Sequence, residues 1–180
     1  MNISKKILKI FNFFYLVKCW VFTKLCFPEA RLIRLPFHCR LKGVIYLKNF
    51  TSGVGNRIDV FSGKLEIGKN VQINDYNHIA CVNSIKIGDD VLIASKVFIT
   101  DHDHSYKLNI SSIVSAPLDS IPVEIGDNCW LGENVCILKG VRLGRNCVVG
   151  AGSIVSKSFP ENSIIIGNSA KLYKRIKYNE

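Results

Sequence analysis

A beat of six residues runs along the chain from Ile67 to about residue 160, each unit opening on an aliphatic position, in six of them followed by glycine. Ile67-Gly68, Ile87-Gly88, Ile125-Gly126, Leu131-Gly132, Leu143-Gly144 and Val149-Gly150 open such units. Val71, Val91, Cys129, Val135, Cys147 and Ser153 fill the small or aliphatic place three residues after each glycine. A period of six shared among three sides is the pattern of a triangular parallel β-solenoid. The openers fall at 67, 73 and 79, at 87, 93 and 99, at 125, 131 and 137, and at 143, 149 and 155, so three units make a turn of 18 residues.

Two interruptions break the beat. Two residues are inserted before Ile87, which predicts a bulge at a corner, and 20 before Ile125, which predicts a loop thrown out of the solenoid. Compact domains seldom carry so long a connection without a use for it, so the loop is expected to shape a site. The 18-residue spacing stacks Ile125 above Leu143, Gly126 above Gly144 and Cys129 above Cys147. Glycine in second place fits a corner where a side chain would collide or where φ is positive. Residues 54–58 form one imperfect unit, and Val44, Ile45 and Leu47 another side. The expected division is a helical, basic and aromatic segment over 1–42, a parallel β-helix over 43–166 with an excursion over 105–124, and a C-terminal tail with a short helix over 167–180.

The first 27 residues differ in kind, with Phe, Tyr, Trp, Ile and Leu interleaved with Lys5, Lys6, Lys9, Lys18 and Lys24. Lys18 and Lys24 interrupt the apolar stretch, which falls short of a spanning helix and lacks the small-residue cleavage site of a secretory signal. Two readings stay open: a helix lying in the interface of the cytoplasmic membrane, and a helix capping the open end of the solenoid.

With 180 residues, 48% of them hydrophobic, the chain supports one domain with a real core. Its net charge of +10 favours anionic partners such as phosphates or lipid headgroups. Nucleic acid is not expected, since there is no aromatic-basic RNA motif, finger or helix-turn-helix pattern. Seven cysteines form no CxxC pair, and two sit in inward ladder places, so they read as small hydrophobes in a reducing cytoplasm rather than as disulfides or nucleophiles.

Candidate chemistry gathers where the 20-residue excursion begins, at Asp101-His102-Asp103-His104. Histidine takes a proton near neutral pH, and a neighbouring carboxylate, Asp101 or Asp103, can hold its tautomer. His78 lies nearby in sequence. Zinc is a competing use of three histidines, but the spacing of 78, 102 and 104 does not match a converging tripod, and no metal is expected. Tyr106, Lys107, Asn109 and Asp119 give the excursion polar groups suited to a sugar.

Over residues 53–174 the chain resembles the hexapeptide-repeat acyltransferases, and within them the O-acetyltransferases of sugars and bacterial surface polysaccharides such as lipopolysaccharide O-antigen. The likeness rests on Val71-Gln72-Ile73-Asn74-Asp75, on Leu92-Ile93-Ala94-Ser95-Lys96-Val97-Phe98-Ile99, on the Asp-His-Asp-His corner, on the run from Pro122 through Trp130-Leu131-Gly132-Glu133 to Val135, and on Val149-Gly150-Ala151-Gly152-Ser153-Ile154-Val155. It ends with Ile166-Gly167-Asn168-Ser169-Ala170-Lys171, where Ser169 replaces the family's proline and predicts a looser turn.

The resemblance implies a left-handed parallel β-helix, a homotrimer with active sites between subunits, acetyl-CoA as donor and a saccharide as acceptor. Counting without gaps from Ile87-Gly88 carries the family's catalytic histidine to His104, with His102 as competitor, and its substrate-binding asparagine to Asn74, beside Asp75. Trp130, Glu133, Ala151, Ser156 and Lys157 fall near the donor. Lys157, Lys171 and Lys174 are suited to meet its phosphates as point charges. Three functions compete: O-acetylation of a saccharide hydroxyl by direct transfer with a histidine base, N-acetylation of a nucleotide-linked amino sugar, and a non-catalytic scaffold that binds no CoA.

Overall fold

The structure, a computed structural model, describes residues 3–106 and 112–177, with side chains from residue 11 onward. Lys107 and Asn109 of the excursion, and the side chains of Lys5, Lys6 and Lys9, lie outside the described residues. One helix, α1 (Ile3–Cys26), precedes a parallel β-solenoid with three faces. The first face stacks Leu32–Ile33, Thr51–Ser52, Gln72–Ile73, Leu92–Ile93, Trp130–Leu131, Val148–Val149 and Ser163–Ile166. The second stacks Phe37–Leu41, Asn56–Val60, His78–Cys81, Phe98–Thr100, Cys136–Ile137 and Ile154–Val155. The third stacks Val44–Leu47, Lys64–Ile67, Ser84–Ile87, Val123–Ile125 and Arg142–Leu143.

The six-residue beat is the mechanism of this stacking. Ten of the twelve openers end a strand, Ile79 and Ile99 lie within one, and all twelve are buried at 3% exposure or less. Ile87, Ile125 and Leu143 lie one above another in the third face, and Ile99, Ile137 and Val155 in the second. Burying each such side chain contributes about 1.5–3 kcal/mol, repeated at every side of every coil. Of the two reasons for glycine in second place, collision holds. A Cβ on Gly126 would sit 2.7 Å from the backbone nitrogen of Arg145 in the next coil. The positive φ falls two residues later, at Asn70 (56°), Asp90 (57°), Asn128 (55°) and Asn146 (57°). Asparagine tolerates that conformation and its amide can also bridge coils: Asn128 Nδ2 donates to Asn146 Oδ1 at 3.0 Å, and Asn146 Nδ2 to Asn162 Oδ1 at 2.8 Å.

One boundary, one element and one turn differ from the pattern's expectation. The solenoid starts at Leu32 rather than 43, because Leu32–Ile33 and Phe37–Leu41 already pair in parallel with the coil above. The early strands lack the aliphatic-glycine signature, so the beat misses them. The expected C-terminal helix is instead a strand, Lys171–Arg175, antiparallel to Ser163–Ile166. That edge offers unpaired backbone groups, whereas so short a segment gains little as an isolated helix. The turn carrying Ser169 is held by Gly167 N donating to Ser153 Oγ (3.0 Å) and Ala170 N to Ile154 O (2.8 Å), rather than loosened.

α1 covers the first coil. Thr23 Oγ1 accepts from the Ile33 amide at 2.8 Å, Tyr15 Oη donates to the Leu35 carbonyl at 2.6 Å, and Cys19 is buried. Phe22 stacks against Phe27 and Phe37 at ring distances of 6.1 and 6.5 Å. The helix therefore closes the open end of the solenoid. Among the described residues no helix is long and apolar enough to cross a membrane.

Candidate active site

The excursion leaves the solenoid at the edge between the second and third faces as a hairpin, its stem formed by His102–His104 antiparallel to Leu118–Ser120. Successive side chains of a strand point to opposite sides, so His102 and His104 share one side of the stem and Asp103 takes the other. Asp103 does not hold an imidazole. Its carboxylate accepts from Lys139 Nζ at 2.6 Å, and that bond holds the Lys139 ammonium above its ordinary pKa.

Asp101 is the keystone of this corner. It is fully buried, and its carboxylate accepts from the amides of Val82 (2.9 Å) and Asn83 (2.7 Å) in the coil below. Those amides belong to the two-residue insertion read from the beat: the bulge exists where Asp101 can cap it. The same carboxylate meets His102 Nδ1 at 2.9 Å, a contact that orients the ring. His102 is further fixed by the edge of the Phe61 ring at 6.0 Å, and Arg40 lies over that ring at 5.5 Å. His104 is exposed one step farther out, and Tyr106, at 80% exposure, projects beyond it. Cys81 lies against the keystone, and burial together with Asp101 pushes its thiol up to about 12. It stays protonated and serves packing.

Asn74 and Asp75 sit on a different edge, between the first and second faces. Asn74 is exposed in a cavity of about 440 Å³ lined also by Arg34, Thr51, Ser52 and Ser95. Asp75 is half-committed to structure, since its Oδ1 accepts from the Val54 amide at 2.8 Å. Higher on the same edge stand Glu133, paired with Lys96 at 3.2 Å, and the exposed Ala151. Trp130, 50% exposed, lies on the first face just before this edge. The wall is stripped there: a Cβ on Gly152 would meet nothing within 4 Å. Ser156 and Lys157 instead follow the last strand of the second face, on the hairpin's edge, with Lys157 over the Phe159 ring at 5.8 Å. Lys171 and Lys174 are exposed on the closing strand of the first face. The histidines and Asn74 thus fall on two edges of one prism, separated by the second face, while Trp130, Lys171 and Lys174 lie on the first face.

That intervening face carries a cluster the beat did not reveal. Asp59, whose side chain is 4% exposed, accepts from Arg57 Nε at 2.6 Å and meets His78 Nε2 at 3.2 Å. Burial pushes the His78 pKa down, partly opposed by Asp59. The available signal was local: Arg57 and Asp59 share one side of a strand, and His78 lies one coil above Arg57. Among the described residues no three His, Cys, Asp or Glu side chains gather as metal ligands.

Stacked coils, a glycine at the corner after each third-face strand from Ile67 onward and one histidine-bearing hairpin make a geometry that known proteins share. A family model described as the hexapeptide repeat of succinyl-transferase matches residues 122–157. The chain belongs to the hexapeptide-repeat acyltransferases. It is 46% identical over 178 residues to the putative lipopolysaccharide biosynthesis O-acetyl transferase WbbJ of Escherichia coli K12, covering 93% of this chain and 89% of that protein. It is 34% identical over 116 residues to the galactoside O-acetyltransferase of the same organism, covering 64% of this chain and 56% of the relative. Among solved structures, a galactoside acetyltransferase in complex with coenzyme A superposes with a TM-score of 0.58 at 28% identity, over 78% of this chain and 64% of that one. The N-acyltransferase AntD of Bacillus cereus superposes with a TM-score of 0.72 over 82% of this chain and 83% of that one; at 21% identity it shows the fold alone.

Proposed function

We propose that the chain transfers the acetyl group of acetyl-CoA to a saccharide hydroxyl, in the assembly of a bacterial surface polysaccharide such as O-antigen. The observation that carries this reading is the hairpin stem, which sets His102 and His104 on one side next to the buried carboxylate of Asp101. Its support from relatives is the 46% identity to an O-acetyl transferase of lipopolysaccharide biosynthesis over nearly all of both chains.

His104 is the base. Exposed on the stem, it takes the proton of the acceptor hydroxyl, whose oxygen attacks the acetyl carbonyl. Collapse of the tetrahedral adduct breaks the C–S bond, and the leaving thiolate recovers the proton from the imidazolium. Asp101 and His102 brace the stem beneath it. Asn74 holds the acceptor or the oxyanion, and the bare wall at Gly152 beside Ala151 suits the slender pantetheine arm. Lys157, Lys171 and Lys174 meet the donor's phosphates.

The working unit is a homotrimer. Within one chain the histidine edge and the Asn74 edge are separated by a full face, so an active site needs the edge of one copy set against the other edge of the next. His102 is a second reading of the base, favoured by its 2.9 Å bond to Asp101.

The test follows thiol release from acetyl-CoA and product mass with a panel of glycans. His104→Ala is expected to lower turnover by about 100-fold or more while CoA binding persists. Full activity in His104→Ala with loss in His102→Ala makes His102 the base, and preference for an amino sugar over every hydroxyl acceptor overturns the O-acetyl reading.

A further inference from the structure

The charge of this molecule is gathered at one end. Residues 1–48 hold ten Lys or Arg and a single acidic residue, Glu29, and so carry nine of the ten net positive charges. The remaining residues, which build the upper coils and the hairpin, are close to neutral. The same end carries an apolar surface that the fold does not use. α1 grips the first coil through Tyr15, Cys19, Phe22 and Thr23, which recur along one side at helical spacing. At 100° per residue, Phe13, Phe14, Val17, Trp20 and Val21 occupy the opposite side. They are 63%, 64%, 42%, 56% and 42% exposed, with Phe11 at 70% and Leu25 at 79% beside them. A helix whose sole packing partner is the solenoid ordinarily turns charged residues to water on that side.

We infer that this basal end docks on an anionic lipid bilayer, with α1 lying in the interface plane. Rings such as Phe13 and Trp20 enter the headgroup boundary, where an aromatic body and a polar tip are both accommodated. The helix contains no acidic residue, so nothing on it opposes a negative surface. Lys18 and Lys24 are exposed along it, and Arg31, Arg34, Arg40, Lys42 and Lys48 stand exposed on the first coil next to it. Each cation within a Debye length of the surface adds to the attraction. A second copy of this chain fits the same face less well, because it presents the same positive charge at the same end. The consequence for catalysis is orientation: the solenoid stands on its base and holds the hairpin away from the lipid, toward headgroup-linked or soluble acceptors. The inference does not depend on the acetyl-transfer reading.

The experiment sediments the full-length protein with vesicles of phosphatidylglycerol and phosphatidylcholine, and with vesicles of phosphatidylcholine alone. Binding is expected to the anionic vesicles, to weaken as salt rises, and to fall by roughly tenfold or more in Phe13→Ser/Trp20→Ser, with the oligomeric mass unchanged. A second arm uses Trp130→Phe, which leaves Trp20 as the sole tryptophan, with brominated lipid. Quenching of its fluorescence is expected on docking. Equal sedimentation with both vesicle types, binding without quenching of Trp20, or a change of oligomeric mass in the double variant with no change in lipid binding would overturn the inference. The last of these outcomes would give the face to a second copy of the chain.

Discussion

The coils and the hairpin they carry are stabilised in opposite ways. In the coils all twelve openers of the beat are buried aliphatic residues, and Ile99 and Ile137 are fully buried one above the other. In the excursion Tyr106, Ile113 and Val114 are 80%, 56% and 92% exposed, and what holds it is a short ladder, the capped bulge under Asp101, and the Lys139–Asp103 bond. The repeat supplies rigidity by summing identical contacts, while the hairpin depends on a few specific polar ones. A scaffold that is overdetermined can therefore carry a segment that is not.

Substitutions can break that contrast in graded steps. Ile137→Ala opens a cavity in a coil and is expected to cost about 3 kcal/mol, read by chemical denaturation. Gly126→Ala forces a methyl group against the backbone of the next coil and is expected to cost about 2 kcal/mol, with no change in hairpin chemistry. Asp101→Asn deprives the Val82 and Asn83 amides of a full acceptor. A loss of about 2 kcal/mol is expected, together with a fall in kcat of roughly 10- to 100-fold because the stem is no longer held in place.

Between these and the smallest effects lies a pH dependence from the second face. Above the ordinary histidine value of 6.5 folded and unfolded chains both keep His78 neutral. As pH falls through that value the unfolded chain takes the proton first, so stability declines until the lower folded value is passed. His78→Gln is expected to flatten this slope in denaturation curves measured from neutral to mildly acidic pH. Lys139→Met removes an exposed ion pair and is expected to cost only about 0.5 kcal/mol. Val114→Ser is expected to change stability by less than about 0.5 kcal/mol.

The regular coils were legible because one residue type answers one geometric demand at each place in the beat. The aliphatic opener must face inward, and where a glycine follows it, as at Gly126, its missing side chain makes room for the coil above. Both insertions were legible as arithmetic, and the second marked the histidine-bearing hairpin. What the sequence hid were matters of partnership. Asp101 and Asp103 look equivalent in Asp-His-Asp-His, and only strand alternation and the bulge below separate the buried cap from the residue bonded to Lys139. The first coil was hidden because α1 and the aromatic cluster of Phe22, Phe27 and Phe37 close it without the repeat's glycines. The closing strand was hidden because its fate is set by the free edge beside it, not by its own five residues.

We propose that the hairpin's exposed imidazole performs proton transfer while the coils only hold it. Steady-state thiol release from acetyl-CoA, measured for His104→Ala beside Val114→Ser with a glycan acceptor, tests it most directly. His104→Ala is expected to lose about 100-fold or more in kcat with its unfolding midpoint unchanged, and Val114→Ser to keep the full rate. Full turnover in His104→Ala, or a rate loss matched by an equal loss of stability, would contradict it.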